Sequence, residues 1–262
     1  PTSINESIEI DKGFRIYTGA LNHTLTITGE PRTGGQTIDL IGDGTPTGET
    51  GWNLVTNPYP CAINLNLLEE ADKVNMDDFI WIYNPNTGNY STYDLASEVG
   101  TGNLDSIIAH SQAFWVKCNS ASGELILSES DKVTFENNFI KTSALPSKNK
   151  LTVRLTSTLS TMGDVAVLQI RKGSTSNYDA SKDAHKLYSP IPNEAPSLVF
   201  VSDDGTDLCL SSIGEETSAV SLKAFAGSSS PGTYTLDFEN GNNFATKSCV
   251  TLEDLVTGVT QD

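Results

Sequence analysis

Acidic side chains dominate the chemistry open to this chain, which carries 33 Asp and Glu against 16 Lys and Arg, for a net charge of −17. Carboxylates and loop carbonyls are the ligands hard cations take, so calcium is the first chemistry to ask about. Two clusters qualify by type, Asp179 with Asp183, and Asp203, Asp204 and Asp207. Neither has the spacing of an EF-hand loop, and Asp caps turns without any metal. Paired carboxylates could also cleave glycosides, but the required separation of roughly 5 to 10 Å is set by the fold and not by spacing in sequence. The aromatics Trp81, Tyr83, Tyr90 and Tyr93 suggest a sugar-stacking platform, although on alternating strands about half of such residues face the core. His23, His110 and His185 lie far apart, without a second His or Cys at ligand spacing. There is no GxSxG elbow, HExxH, P-loop or GxGxxG, so nucleophilic and cofactor chemistry have no support in the sequence.

The charge excludes other classes. A pI near 4.4 repels phosphate backbones and anionic headgroups, which argues against nucleic-acid and membrane-surface partners. No apolar run approaches the roughly 18 residues of a membrane span. Four cysteines, Cys61, Cys118, Cys209 and Cys249, are too widely spaced for a zinc ribbon or a CxxC site. Three pairings are open. Cys61 with Cys118 and Cys209 with Cys249 would give each half of the chain one disulfide, as suits an exported protein, and buried free thiols are the alternative.

The elements that must position these groups read as strands. Hydrophobic content is 37%, with many short alternating runs separated by polar turns, so the expected class is all-β. Two motifs organise the first half, GWNLVTNPYP at 51–60 and AFWVKC at 113–118, which read as neighbouring core strands. The prolines of the first impose a rigid corner. Residues 13–17 and 24–28 form an expected hairpin, as do the aromatic runs on either side of 84–89. Leu65, Leu67, Leu68, Ala71 and Val74 are spaced for a short amphipathic helix over 64–74, and 177–189 suggests a second. A polar stretch around Pro146 is the expected linker. In the second half, 151–157 with 164–171, and 197–201 with 207–211 across Asp203-Asp204-Gly205-Thr206, read as strand pairs. The expectation is two consecutive β-sandwich domains, jelly-roll or Ig-like, with one or two short helices, over 1–143 and 148–262.

The motifs GWNLVTNPYP, WIYNPNTGNYSTY at 81–93, QAFWVK at 112–117, YDASKDAHKL at 178–187 and TLEDLVTG at 251–258, in that order, resemble the β-sandwich modules near the C-terminal end of Bacteroidetes surface and secreted proteins, the cargo of type IX secretion. The resemblance spans nearly the whole chain and implies export, surface display and no particular reaction. Thr56 departs from an expected glycine, Leu65 from a frequent tryptophan, and Cys61 and Cys118 from small residues. Two cysteine departures on two facing motifs favour their pairing. Asp105-Ser106-Ile107 resembles the O-glycosylation acceptor of these bacteria, which marks Ser106; Asn-x-Ser/Thr at Asn5, Asn22 and Asn89 carries little weight in a bacterial protein. The expected role is a non-catalytic structural or adhesive segment of a large exported cell-surface protein, with a carbohydrate-binding accessory module of a secreted hydrolase as the alternative. Its partners would be neighbouring domains of the parent chain, glycans or surface proteins. Both sandwiches are expected to lack strands, the first before residue 1 and the second after residue 262, where 256–262 reads as a turn into a strand that does not follow.

Overall fold

The structure is a computed structural model that describes residues 12–16, 29–44, 50–134, 149–227, 232–244 and 250–261. It is nearly all β, with several sheets in a sandwich-like arrangement. The strands are β1 (Gln36–Ile41), β2 (Trp52–Thr56), β3 (Ala62–Asn64), β4 (Lys73–Val74), β5 (Phe79–Asn84), β6 (Asn89–Asp94), β7 (Val99–Gly100), β8 (Ile107–Ile108), β9 (Ala113–Lys117), β10 (Ser122–Leu127) and β11 (Lys132–Val133). They continue as β12 (Lys150–Ser157), β13 (Gly163–Ile170), β14 (Ala184–His185), β15 (Ser197–Val201), β16 (Asp207–Ile213), β17 (Ser221–Phe225), β18 (Tyr234–Glu239), β19 (Leu252–Glu253) and β20 (Thr260–Gln261). The chain forms two compact units, and both are discontinuous in sequence. Residues 83–92 and 99–103, which the sequence reading places with the first half, group with 143–262.

In the first unit the two organising motifs pair as expected: β2 and β9 are antiparallel, with Trp52 opposite Lys117 and Thr56 opposite Ala113. Its strands run in the order β2-β9-β5, with two three-stranded sheets, β1-β10-β4 and β11-β3-β8. Alternation sends Val55, Phe114, Val116, Ile80 and Ile82 to one side, where they pack with Ile38, Leu40, Leu125 and Leu127 of β1 and β10, and with Ile63 and Ile108. The proline corner is held by Asn57, whose amide donates to the carbonyls of Cys61 at 2.8 Å and Ala109 at 3.0 Å, while its oxygen accepts the Tyr59 N–H at 3.0 Å. The buried Tyr59 hydroxyl donates to Gly34 O at 2.8 Å. Its pKa is pushed up to about 12, first by burial and then by Glu129 and Asp131.

The expected helix over 64–74 does not form. Two 3-10 turns, Leu65–Leu67 and Glu70–Asp72, are followed directly by β4. The Asn64 side chain takes the Asn66 N–H, Leu68 is extended at ψ 131°, and Asp72 accepts the Glu69 N–H at 2.8 Å. Each local cap restarts the backbone before a full α-turn can propagate. Of the expected hairpin at 13–17 and 24–28, residues 13–16 are not strand, Lys12 makes an isolated bridge to Val55, and the remainder lies outside the described residues. So does the expected linker around Pro146.

The second unit is built on one sheet in the order β17-β15-β16-β13-β12-β18, with β14 also paired to β16. Leu151, Val153 and Leu155 of β12 interleave with Ala166, Leu168, Leu198, Phe200 and Leu208 in its core. Residues 177–189 are turns plus β14 rather than the expected helix. The hairpin tip at 84–89 docks on this unit. Asn89, 1% exposed, donates to Gly163 O at 3.0 Å and Pro196 O at 2.8 Å, and Thr87 O accepts the Gly163 N–H at 3.2 Å. Gly88 at φ 70° fits because a Cβ there would stand 2.8 Å from Met162 Sδ and 2.9 Å from Ala195 Cβ. The Asp254 turn leads into β20, which pairs back on β19.

Candidate functional site

One face of the β2-β9-β5 sheet carries all three tryptophans of the chain. Trp115 stands opposite Leu54 on β2 and opposite Trp81 on β5, so these three share a face, and Trp52, two residues before Leu54, joins them. Trp52 and Trp81 meet edge to face, with ring centroids 4.7 Å apart at 76°; Phe79 lies 6.1 Å from Trp81. Such edge contacts add about 1 kcal/mol beyond burial and hold the rings in place. Trp81 is buried, whereas Trp52 and Trp115 are half-buried. Both line a hollow of about 550 Å³ with Lys12, Gly13, Asp43, Thr50 and Leu54. Gly13 is held against the sheet by its N–H bond to Leu54 O at 2.7 Å, where any Cβ would strike Ala113 and Leu54.

The polar rim is ordered. Thr50 donates to Asp43 at 3.1 Å, and Asn53 is spent on the backbone of Ile41 and Gly51. Lys117 shares the tryptophan face and is 1% exposed. Burial pushes its ammonium pKa down, against the pull of Asp77 and Asp43. Asp77 is pushed up, by burial first, while the amide of Asn119 at 3.0 Å opposes this. The result is an aromatic wall beside fixed polar groups, an arrangement suited to the apolar face and edge hydroxyls of a sugar ring. Among the described lining residues Asp43 is the one carboxylate, whereas glycoside cleavage uses a pair.

The residues singled out by sequence do not line this hollow. Trp81 and Tyr93 are 1% and 4% exposed, so neither serves as an open stacking surface. Tyr83 and Tyr90 are half-buried and pack on each other at 5.5 Å. The rings that do line a hollow, Trp52 and Trp115, served the sequence reading only as strand markers. The signal was present: Phe114 and Trp115 are adjacent on one strand, so one of them must face outward. Ser106 is 7% exposed, so its hydroxyl is not presented as a glycosylation acceptor in the folded chain.

The Cys61–Cys118 disulfide is corrected. Both are free thiols. The facing motifs are antiparallel, which places Cys118 beside Gly51 at one end of β2, through a 2.7 Å backbone bond, and Cys61 beyond Thr56 at the other, beside Asn57. Five residues of strand span roughly 17 Å, far beyond the ~7 Å limit for bridged Cα atoms. Cys118 Sγ instead donates to Ser120 O at 3.3 Å. Cys209 is buried against Thr92 Oγ1 at 3.2 Å and His185 O at 3.2 Å; its proposed partner Cys249 lies outside the described residues.

The two aspartate clusters act on turns. Asp179 accepts from Ser181 N, Ser181 Oγ and Lys182 Nζ, and its pKa falls to about 2 because these contacts, led by Lys182, outweigh burial. Asp183, 2% exposed, accepts from Ser212 N at 2.6 Å and Asp179 N at 2.8 Å, yet burial pushes it up to about 6. Asp204 takes Ser202 Oγ, Thr206 Oγ1 and Tyr178 N; the Asp203 N–H donates to Ser176 O; Asp207 accepts from the Tyr188 hydroxyl. Among the described residues no group of three or more acidic, His or Cys side chains is arranged to hold a metal ion.

No protein-family model, curated protein or solved structure matched the chain when it was compared with them.

Proposed function

We propose that this chain is a non-catalytic adhesive segment of a large exported cell-surface protein, and that the hollow beside Trp52 and Trp115 is its glycan-contacting surface. The observation that carries this reading is the collection of every tryptophan on one sheet face, two of them only half-buried beside Asp43, Thr50 and Lys12. Export by the type IX route rests on the motif resemblance, and neighbouring domains of the parent chain are the natural partners. Because all three indoles share this face, intrinsic fluorescence reports on it directly. Titration with a panel of neutral and acidic oligosaccharides should change the emission, and Trp115→Ala should weaken binding at least tenfold while leaving the circular dichroism spectrum unchanged. No response to any glycan, or equal binding by the variant, overturns the assignment. The same hollow would serve an accessory module of a secreted hydrolase, and a response confined to insoluble plant or algal polysaccharides would select that reading.

A further inference from the structure

The second unit contains a contact that the glycan reading does not use. Asp164, at the start of β13, meets Lys186, just after β14, with side chains 2% and 1% exposed. The other described Lys–Asp contacts, Lys73–Asp78 at 9% and 22% and Lys182–Asp179 at 21% and 36%, are reached by solvent. The Asp164 carboxyl is also held from both sides by backbone. The Val165 N–H donates to Oδ1 at 2.9 Å and the Leu198 N–H to Oδ2 at 2.7 Å. A carboxyl fixed against one amine, with a peptide N–H on each oxygen and both side chains buried from solvent, has the parts needed for acyl transfer: an electrophile, a nucleophile at contact distance and an oxyanion cradle.

We propose that Lys186 and Asp164 form an intramolecular isopeptide bond, an autocatalytic cross-link between β13 and the segment after β14. A proton passes from the Lys186 ammonium to the carboxylate, leaving a neutral amine and a neutral acid. In a dry site this exchange removes two buried charges, and burial already raises the Asp164 pKa. The Nζ lone pair then attacks Cγ. Negative charge develops on Oδ1, where the Val165 N–H holds it, and the Cγ–Oδ2 bond breaks as Oδ2 departs with the two protons given up by nitrogen. The products are one secondary amide and one water, with no oxidant, cofactor or activating group required. Loss of that water to bulk solvent makes the step favourable in a site from which solvent is excluded.

The test is the mass of the purified folded protein. Its intact mass should be lower than the sequence mass by one water. Trypsin should fail to cut after Lys186 and should release residues 155–171 joined to residues 183–223, with fragment ions placing the link at Asp164 and Lys186. Lys186→Arg keeps the charge but cannot form this link, so it should restore the full sequence mass and yield residues 155–171 as a free peptide. The wild-type readout does not depend on whether the variant folds. Full mass in the native protein with normal cleavage after Lys186 overturns the proposal, as does loss of water with no peptide joining these two residues.

Discussion

The two units bury a lysine in opposite ways. In the first, Lys117 lies on the tryptophan face with Asp77 and Asp43 as electrostatic company, and its pKa is pushed down. In the second, Lys186 touches Asp164 directly in a site closed to solvent. A lysine influenced by its carboxylates only through space makes few demands on any one of them, whereas one at contact distance makes that partner indispensable. The first arrangement leaves an adaptable surface and the second a fixed joint.

Breaking the joint should have the largest effect. Lys186→Met leaves a buried carboxylate alone and should cost at least the roughly 3 to 5 kcal/mol of a severed buried pair, measured by urea unfolding. Adding Asp164→Leu to it should recover only the part of that loss due to the stranded carboxylate, because the cross-link stays absent. Next comes Asn89→Ala, which strands the carbonyls of Gly163 and Pro196 and should cost about 2 kcal/mol. By contrast, Lys117→Met should shift stability by less than about 1 kcal/mol, because burial already disfavours the charge it removes. A loss as large as that of Lys186→Met would erase the contrast between the units. The smallest effect is expected from reductant. Because Cys61 and Cys118 sit at opposite ends of β2, dithiothreitol should not lower the unfolding midpoint of the first unit, and a drop of several degrees would restore the disulfide.

The turn at 179–183 sharpens the comparison through pH. Asp179, depressed to about 2, adds stability that is complete above its unfolded pKa near 4 and lost as pH falls toward 2. Asp183, raised to about 6, has the opposite sign: the folded state holds its proton more tightly, so its contribution is present below pH 4 and lost as pH rises through 6. Carboxyl-carbon titration by NMR should separate the midpoints by several units. Midpoints within one unit would show that the Ser212 and Asp179 N–H bonds cancel the effect of burial.

Much of this architecture was legible in sequence because strand alternation is local. The β12–β13 and β15–β16 pairs and the β2–β9 partnership follow from apolar periodicity and turn residues. What failed needed information that periodicity lacks. Leucine spacing over 64–74 fits a helix, but Asn64, Glu69 and Asp72 cap it twice within nine residues. Facing motifs identify partners but not which ends meet, and that misplaced the disulfide. Strand alternation assigns an aromatic to a face without saying what covers the face, so it does not distinguish the buried Trp81 and Tyr93 from the half-buried Trp115. The Asp164–Lys186 contact joins residues 22 apart and has no local signature at all.

The docking of residues 83–92 bears on inheritance. A segment that completes the second unit is encoded inside the stretch that builds the first, so no single cut in the gene releases either unit whole. Recombination near codon 143 would hand a new host a sheet whose Gly163 and Pro196 carbonyls had lost their donor, and would leave the donor hairpin behind with nothing to clasp. The pair should therefore travel through genomes as one cassette, shuffled together or not at all.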